Sequence, residues 1–157
     1  MSFLNSVNII GSGLTAQQLR LDIVSENVTN SQTTRTENGG GAYRRKMVVF
    51  EAVSGRDTFR AALARASNGL ISNTEQPTTA AGGVRVTQIV EDEETPMKLV
   101  YDPSHPDANE DGYVELPNVD MVLEIADAMA ASRAYASNVT AFNTLKSVIS
   151  SGLEIGR

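Results

Sequence analysis

Apolar residues recur at helical spacing at both ends of this 157-residue chain, and the middle lacks that pattern. From the N-terminus, Phe3, Val7, Ile10, Leu14, Leu21, Val24 and Val28 follow alternating four- and three-residue steps, with Gln17 as the one polar member. This predicts a helix whose stripe runs close to the 3.5-residue period of a coiled-coil seam. Gly11 and Gly13 interrupt it, each costing about 1 kcal/mol relative to alanine, so the helix is expected to be weak until it packs. The pattern fades at Asn27-Val28-Thr29-Asn30, where Asn and Thr compete for backbone groups and favour a cap or turn.

Toward the C-terminus, Met121, Ile125, Ala128, Ser132, Tyr135, Val139, Phe142, Lys146, Ile149 and Leu153 keep strict four-three spacing. A helix over this stretch would run about 50 Å, too long for a core of this size to cover. Ala130, Ala131, Ala134 and Ala136 permit close approach of another helix. Two stripes this long are expected to pack on each other and on neighbouring chains.

Between them the signals change. Thr33 to Gly41 reads as a loop, Met47-Val48-Val49-Phe50 as a short buried strand, Thr58 to Ser67 as a helical turn or two, and Thr74 to Gly83 as loop. Val84 to Val90 is the clearest strand, β-branched at most positions, and Met97 to Tyr101 and Tyr113-Val114 are shorter ones. The expected class is α+β. Helices at 1–34 and 117–157 form a coiled-coil-like pair, with a small β-rich domain at 35–116 inserted between them.

Composition sharpens this. A hydrophobic fraction of 41%, aromatics at 5% and no Trp allow only a modest core, and a β module of roughly 80 residues is marginal by itself. The net charge of −6 argues against nucleic acid as a partner, since phosphate binding needs a basic surface. Arg44-Arg45-Lys46 is too short for such a patch and reads as a solvated edge before a strand. The chain has no cysteine, so it has neither a disulfide framework nor a thiolate metal site. No apolar run approaches a membrane span. No basic segment precedes an apolar core at the N-terminus, so any export is expected to proceed without a cleaved signal peptide.

Candidate chemistry is thin. Asp107-Ala108-Asn109-Glu110-Asp111-Gly112 reproduces the first half of a calcium-binding EF-hand loop, with oxygen donors at alternate positions and then the turn glycine. The twelfth position, which should bring a bidentate Glu, is Asn118, and the flank from Asp102 to Pro106 cannot be helical. An Asx- and Gly-stabilised loop is the simpler account, and a calcium- or ligand-binding module is the alternative function kept open. His105 is the sole histidine. Glu91, Asp92, Glu93 and Glu94 read as a solvated turn, because acid–base work needs two carboxylates held across a cleft. Gly39 to Gly41 lacks the GK[ST] of a phosphate loop. No enzyme and no cofactor emerge, and a muramidase-type hydrolase would need a carboxylate pair that cannot be named.

Several stretches nevertheless resemble a known family. Asn27, Asn30 and Thr33 fit the Asn-x-x-Asn-x-x-Thr signature that closes the N-terminal helix of flagellar axial proteins. Pro117-Asn118-Val119, Arg133-Ala134-Tyr135 and Asn138 resemble the opening and middle of their C-terminal helix. More specifically, the run from Lys98 through Asp102-Pro103-Ser104-His105-Pro106-Asp107 to Val114 resembles the proximal-rod proteins of the flagellar basal body, and Thr34-Arg35-Thr36 and Tyr43-Arg44-Arg45 also fit. Val28-Thr29 and Ala136-Ser137 depart from the usual Ile-Ala and Glu-Ala, and 51–82 carries no signature.

The resemblance implies a non-catalytic subunit that polymerises through its terminal helices into a hollow drive shaft around an export channel. Subunit contacts are then expected from Phe3, Val7, Ile10, Leu14, Leu21, Val24, Asn27, Asn30 and Thr33. At the other end they are expected from Asn118, Ile125, Arg133, Tyr135, Asn138, Val139, Phe142, Ile149 and Leu153. The implied partners are other copies of the chain, other rod and basal-body proteins and, in transit, the flagellar type III export apparatus, with no nucleic acid and no membrane insertion. The implied location is the rod of the basal body, in the periplasmic space.

Overall fold

A computed structural model describes residues 3–36, 41–53 and 82–155. The element order is α1 (Phe3–Thr29), β1 (Lys46–Ala52), β2 (Val84–Glu91), β3 (Lys98–Tyr101), β4 (Tyr113–Leu116) and α2 (Met121–Ile155). β1 pairs with β2 and β3 pairs with β4, giving two separate two-stranded sheets. This is the α+β arrangement of two long terminal helices around a small β region. The helical turns expected at 58–67, and most of the loop expected at 74–83, lie outside the described residues. No described helix is long and apolar enough to cross a membrane.

Contacts divide the chain into two units, each drawing on both helices. One comprises Met1–Gln17, Phe50–Thr87 and Ala134–Arg157. Here Gly13 faces Asn138, and a Cβ on Gly13 would sit 3.0 Å from Asn138 Nδ2. Ser12 Oγ donates to its own helix at Ile9 O and accepts from Val84 N, which ties the start of β2 to α1. Gly83 lies against the same serine at φ 132°, where any side chain would be strained and would meet Ser12 Oγ. Val53 N–H donates to Gly83 O, and Arg85 pairs with Glu51 across β1 and β2.

The other unit comprises Gln18–Val49 and Gln88–Arg133 and contains most of the buried side chains among the described residues. Ile23 and Val24 from α1, Ala42 and Tyr43, Val114 from β4, Val119 and Ala131 form its apolar part. α1 and α2 run antiparallel here. Arg20 meets Asp127 in a two-pronged ion pair, with Nε to Oδ2 at 3.0 Å, and Asn27 meets Glu124 further along. α2 starts where it does because Asp120 caps it: Oδ1 accepts from Val122 N at 2.9 Å. α1 stops at Thr29, where the Asn30 side chain turns back to Glu26 O and Thr33 Oγ1 donates to Asn30 Oδ1.

The β3–β4 hairpin pairs Lys98 with Leu116, Leu99 with Glu115, Val100 with Val114 and Tyr101 with Tyr113. Its connection holds itself together. Asp102 Oδ1 accepts from Ser104 N and Oγ, and Asn109 Oδ1 accepts from Asp111 N and Tyr113 N. Gly112 sits at φ 78°, with the Tyr101 ring 3.0 Å from where a Cβ would be, so the position requires glycine.

Candidate assembly surface and the polar cluster beneath it

A hydrogen-bonded cluster at the end of α1 organises the second unit. Asn27 is 1% exposed, and its amide makes four bonds. Nδ2 donates to Lys46 O at 2.9 Å and to Glu124 Oε2 at 3.0 Å, while Oδ1 accepts from Tyr43 OH and Lys46 N, both at 2.9 Å. That uses the full capacity of the side chain. Glu124, with no exposed surface, receives Arg45 Nε on its other oxygen at 2.6 Å. A buried carboxylate is tolerated only with such partners.

A second amide completes the fastening. Asn118 Oδ1 accepts from Arg45 N, and its Nδ2 donates to Asp92 O and Thr95 O. Asp92 accepts from Glu94 N, Thr95 N and Thr95 Oγ1, which holds its carboxyl below the usual carboxylate range. Lys46 Nζ lies 2.5 Å from Glu26 and over the Tyr43 ring at 5.5 Å. Burial pushes the Tyr43 phenol well above its ordinary value, and Glu26, Glu124 and Glu91 add to the rise.

Two sequence expectations need correction here. Arg45 and Lys46 are not a solvated edge, since both enter ion pairs and Arg44 alone of the three is exposed. Asp92 is not one of four solvated acids but the buried keystone of the β2–β3 turn. In each case a run of like charges was read as one object, whereas the backbone turns successive residues to different surroundings.

The residues expected at subunit contacts fall into three groups. Asn27, Asn118 and Val24 are buried in the chain, so the two amides act as internal fasteners. Val7, Ile10, Leu14, Leu21, Asn30, Thr33, Tyr135, Asn138, Val139 and Ile149 are half-buried. Ile125, Arg133, Phe142 and Leu153 are exposed, Leu153 at 71%. The side chain of Phe3 lies outside the described ones.

Along α2 the inward line is Glu124 and Ala131, fully buried, continued at seven-residue steps by half-buried Asn138 and Leu145. Ile125, Ser132 and Lys146, one residue further on, are exposed. Polar residues thus occupy part of the inward line because each has a fitted neighbour, Asn27 and Arg45 for Glu124, and the open Cα of Gly13 for Asn138. Apolar Val122, Ile125, Met129, Val148 and Leu153 are left outside. Sequence reasoning missed Glu124 and Tyr43. The available signal was a lone Glu in an otherwise apolar first turn, with Arg45 as a cation to meet it.

The calcium-loop residues are committed elsewhere. Asp107 takes Thr34 Oγ1 at 2.8 Å and Arg35, and Asn109 Oδ1 takes two backbone N–H groups. Among the described residues no group of three or more His, Cys, Asp or Glu side chains could hold a metal ion.

A chain with two long terminal helices, an Asn-rich closure of the first and exposed apolar side chains at the start of the second has the build of a flagellar axial protein. The comparisons with known proteins agree. The family model for the flagella basal body rod protein matches residues 8–35, and that for the flagellar basal body rod FlgEFG protein C-terminal matches residues 110–155. The flagellar basal-body rod protein FlgC of Bacillus subtilis strain 168 is 41% identical over the whole of both chains. That of Borreliella burgdorferi is 40% identical over 99% of this chain and 98% of its own. That of Escherichia coli O157:H7 is 38% identical over the whole of both. The chain belongs to the FlgC family of flagellar basal-body rod proteins.

Proposed function

We propose that this chain, a structural subunit of the flagellar basal-body rod and not an enzyme, builds the proximal part of that rod. It joins copies of itself and other rod proteins through the exposed surfaces of its terminal helices. Head-to-tail contacts that do not close give a helical, hollow shaft around the export channel, and that shaft carries motor torque outward. The chain reaches the periplasmic rod through the flagellar type III export apparatus, and with no cysteine nothing cross-links it on the way.

The observation that carries this reading is the group of exposed apolar side chains on one face at the start of α2, Met121, Val122, Ile125 and Met129, with Val148 and Leu153 exposed separately near its end. Four such side chains clustered on one face exceed what isolated surface residues explain and mark a protein contact. The experiment is incorporation of Val148→Asp and Leu153→Asp chains into isolated basal bodies, with motility as the second readout. No observation favours the calcium-binding alternative.

A further inference from the structure

The connection between β3 and β4 holds the chain's one histidine, in a bond that only a neutral imidazole can make. Asp107 N–H donates to His105 Nδ1 at 3.1 Å, so Nδ1 is the acceptor of an uncharged ring. The residue seated by this bond is itself a fastener. The Asp107 carboxylate accepts from Thr34 Oγ1 at 2.8 Å and from the Arg35 guanidinium, which ties the segment after α1 to the connection. Pro106, between His105 and Asp107, has a fixed φ and restrains the backbone of His105 as well. His105 N–H donates to Asp102 O, and Ala108 N–H donates to His105 O. The backbone here has little room to adjust, and the ring is the part that can turn.

A second carboxylate stands ready for the charged ring. Asp102 accepts both Ser104 groups on Oδ1, and among the described residues no donor is bonded to its Oδ2. The Ser104 hydroxyl and N–H hold the Asp102 carboxyl below the usual carboxylate range, and the charge of His105 adds to that. Asp102 is therefore an anion throughout the range, about pH 5 to 8, in which histidine ordinarily changes charge. The other charges nearby are Arg35, paired with Asp107, and Glu115 of β4. Both line the adjoining cleft with Pro106 and Asp107.

We propose that His105 is a proton-operated catch: neutral, it seats Asp107 on Thr34 and Arg35, and protonated, it turns to Asp102 and slackens that tie. A protonated Nδ1 no longer accepts from Asp107 N–H, and the two donors oppose each other at that distance. Asp102 offers the displaced ring an acceptor of opposite charge, three residues back in the same loop. Acid thus loosens the hold of the β3–β4 connection on the segment after α1, and the paired strands themselves keep their register. The catch does not rest on the proposed rod contacts of α2, and its test uses the purified full chain alone.

The experiment is an NMR titration of the isotope-labelled chain from about pH 8 to about pH 5. With a single histidine the ring signals are unambiguous. At the alkaline end the ring nitrogens are expected to show Nδ1 bare and Nε2 protonated. On acidification the amide signals of Asp107, Thr34 and Arg35 are expected to shift with the same midpoint as the ring. His105→Asn supplies an Oδ1 that accepts the N–H two residues on, as Asn109 already does for Asp111, and it does not titrate. In H105N the Thr34 and Arg35 signals are expected to hold still over the same range. Asp102→Asn keeps the acceptor for Ser104 but removes the charge, and is expected to lower the midpoint of the ring. A ring that titrates while Asp107, Thr34 and Arg35 stay still overturns the proposal. So does a Thr34 and Arg35 response that persists in H105N, or a midpoint that D102N leaves unchanged.

Discussion

Asn27 is an amide with every hydrogen-bonding position filled inside the protein, and that fixes what its loss does. Asn27→Ala leaves the Tyr43 hydroxyl, both backbone groups of Lys46 and one Glu124 oxygen without that partner. Unsatisfied groups in a buried network cost more than the bonds removed, so a loss of about 2–4 kcal/mol in unfolding free energy is expected by urea titration. A loss within error of zero would mean that water replaces the amide and that the cluster does not fasten the unit. Tyr43 adds a pH dependence whose sign follows from its raised pKa. The unfolded phenol releases its proton near 10.0 while the folded one holds it. The Tyr43 contribution is therefore fully present below pH 10 and falls as pH rises beyond it. Tyr43→Phe should be less stable at neutral pH by about 1 kcal/mol for the lost Asn27 bond, yet show a flatter alkaline limb in urea midpoints taken across that range. Parallel limbs would rule Tyr43 out as their source.

At the scale of the element, the two helix glycines separate propensity from packing. Gly11 has open space where a Cβ would go, whereas the Cβ of residue 13 would press on Asn138 at 3.0 Å. Gly11→Ala is expected to stabilise the chain by about 1 kcal/mol through helix propensity alone. Gly13→Ala should gain less or lose, because Asn138 must shift. Equal thermal gains for both would mean that Asn138 moves freely and the approach is not tight. If Gly11→Ala also blocks rod assembly, a neighbouring chain comes close at that point. The same distinction explains what the sequence made legible. Helix period located α1 and α2, because burying one face imposes a period; β-branched and aromatic runs located the strands, and for β3, exposed at all four residues, residue type was the whole signal. The inward line of α2 was not legible. A hydrophobic stripe treats Glu124 and Asn138 as outward, and only their partners, 97 positions away for the Asn27–Glu124 bond, turn them in. The Asn-x-x-Asn-x-x-Thr spacing marked Asn27 through family resemblance, but its role as a four-bond fastener depends on Tyr43 and Lys46, which no local pattern connects to it.

At the scale of the whole chain, the question is whether an exposed apolar residue serves the fold or the assembly. Val148 and Leu153 are 64% and 71% exposed, so little of either side chain is removed from water by the chain itself. Surface substitutions of this kind usually change stability by less than about 0.5 kcal/mol. Val148→Asp and Leu153→Asp should therefore melt with the unaltered chain. In an assembled rod the same carboxylate would lie in an apolar contact, where an unpaired charge is strongly disfavoured, and the contact recurs for every subunit added. Stability unchanged and incorporation lost is the expected combination, read from thermal melts of the purified chain and from the content of isolated basal bodies. Lowered melting would assign these residues to the core of the free chain. Normal incorporation with full motility would leave the distal end of α2 without a neighbour in the rod, and the assembly surface would have to be sought among Val122, Ile125 and Met129, nearer the start of the helix.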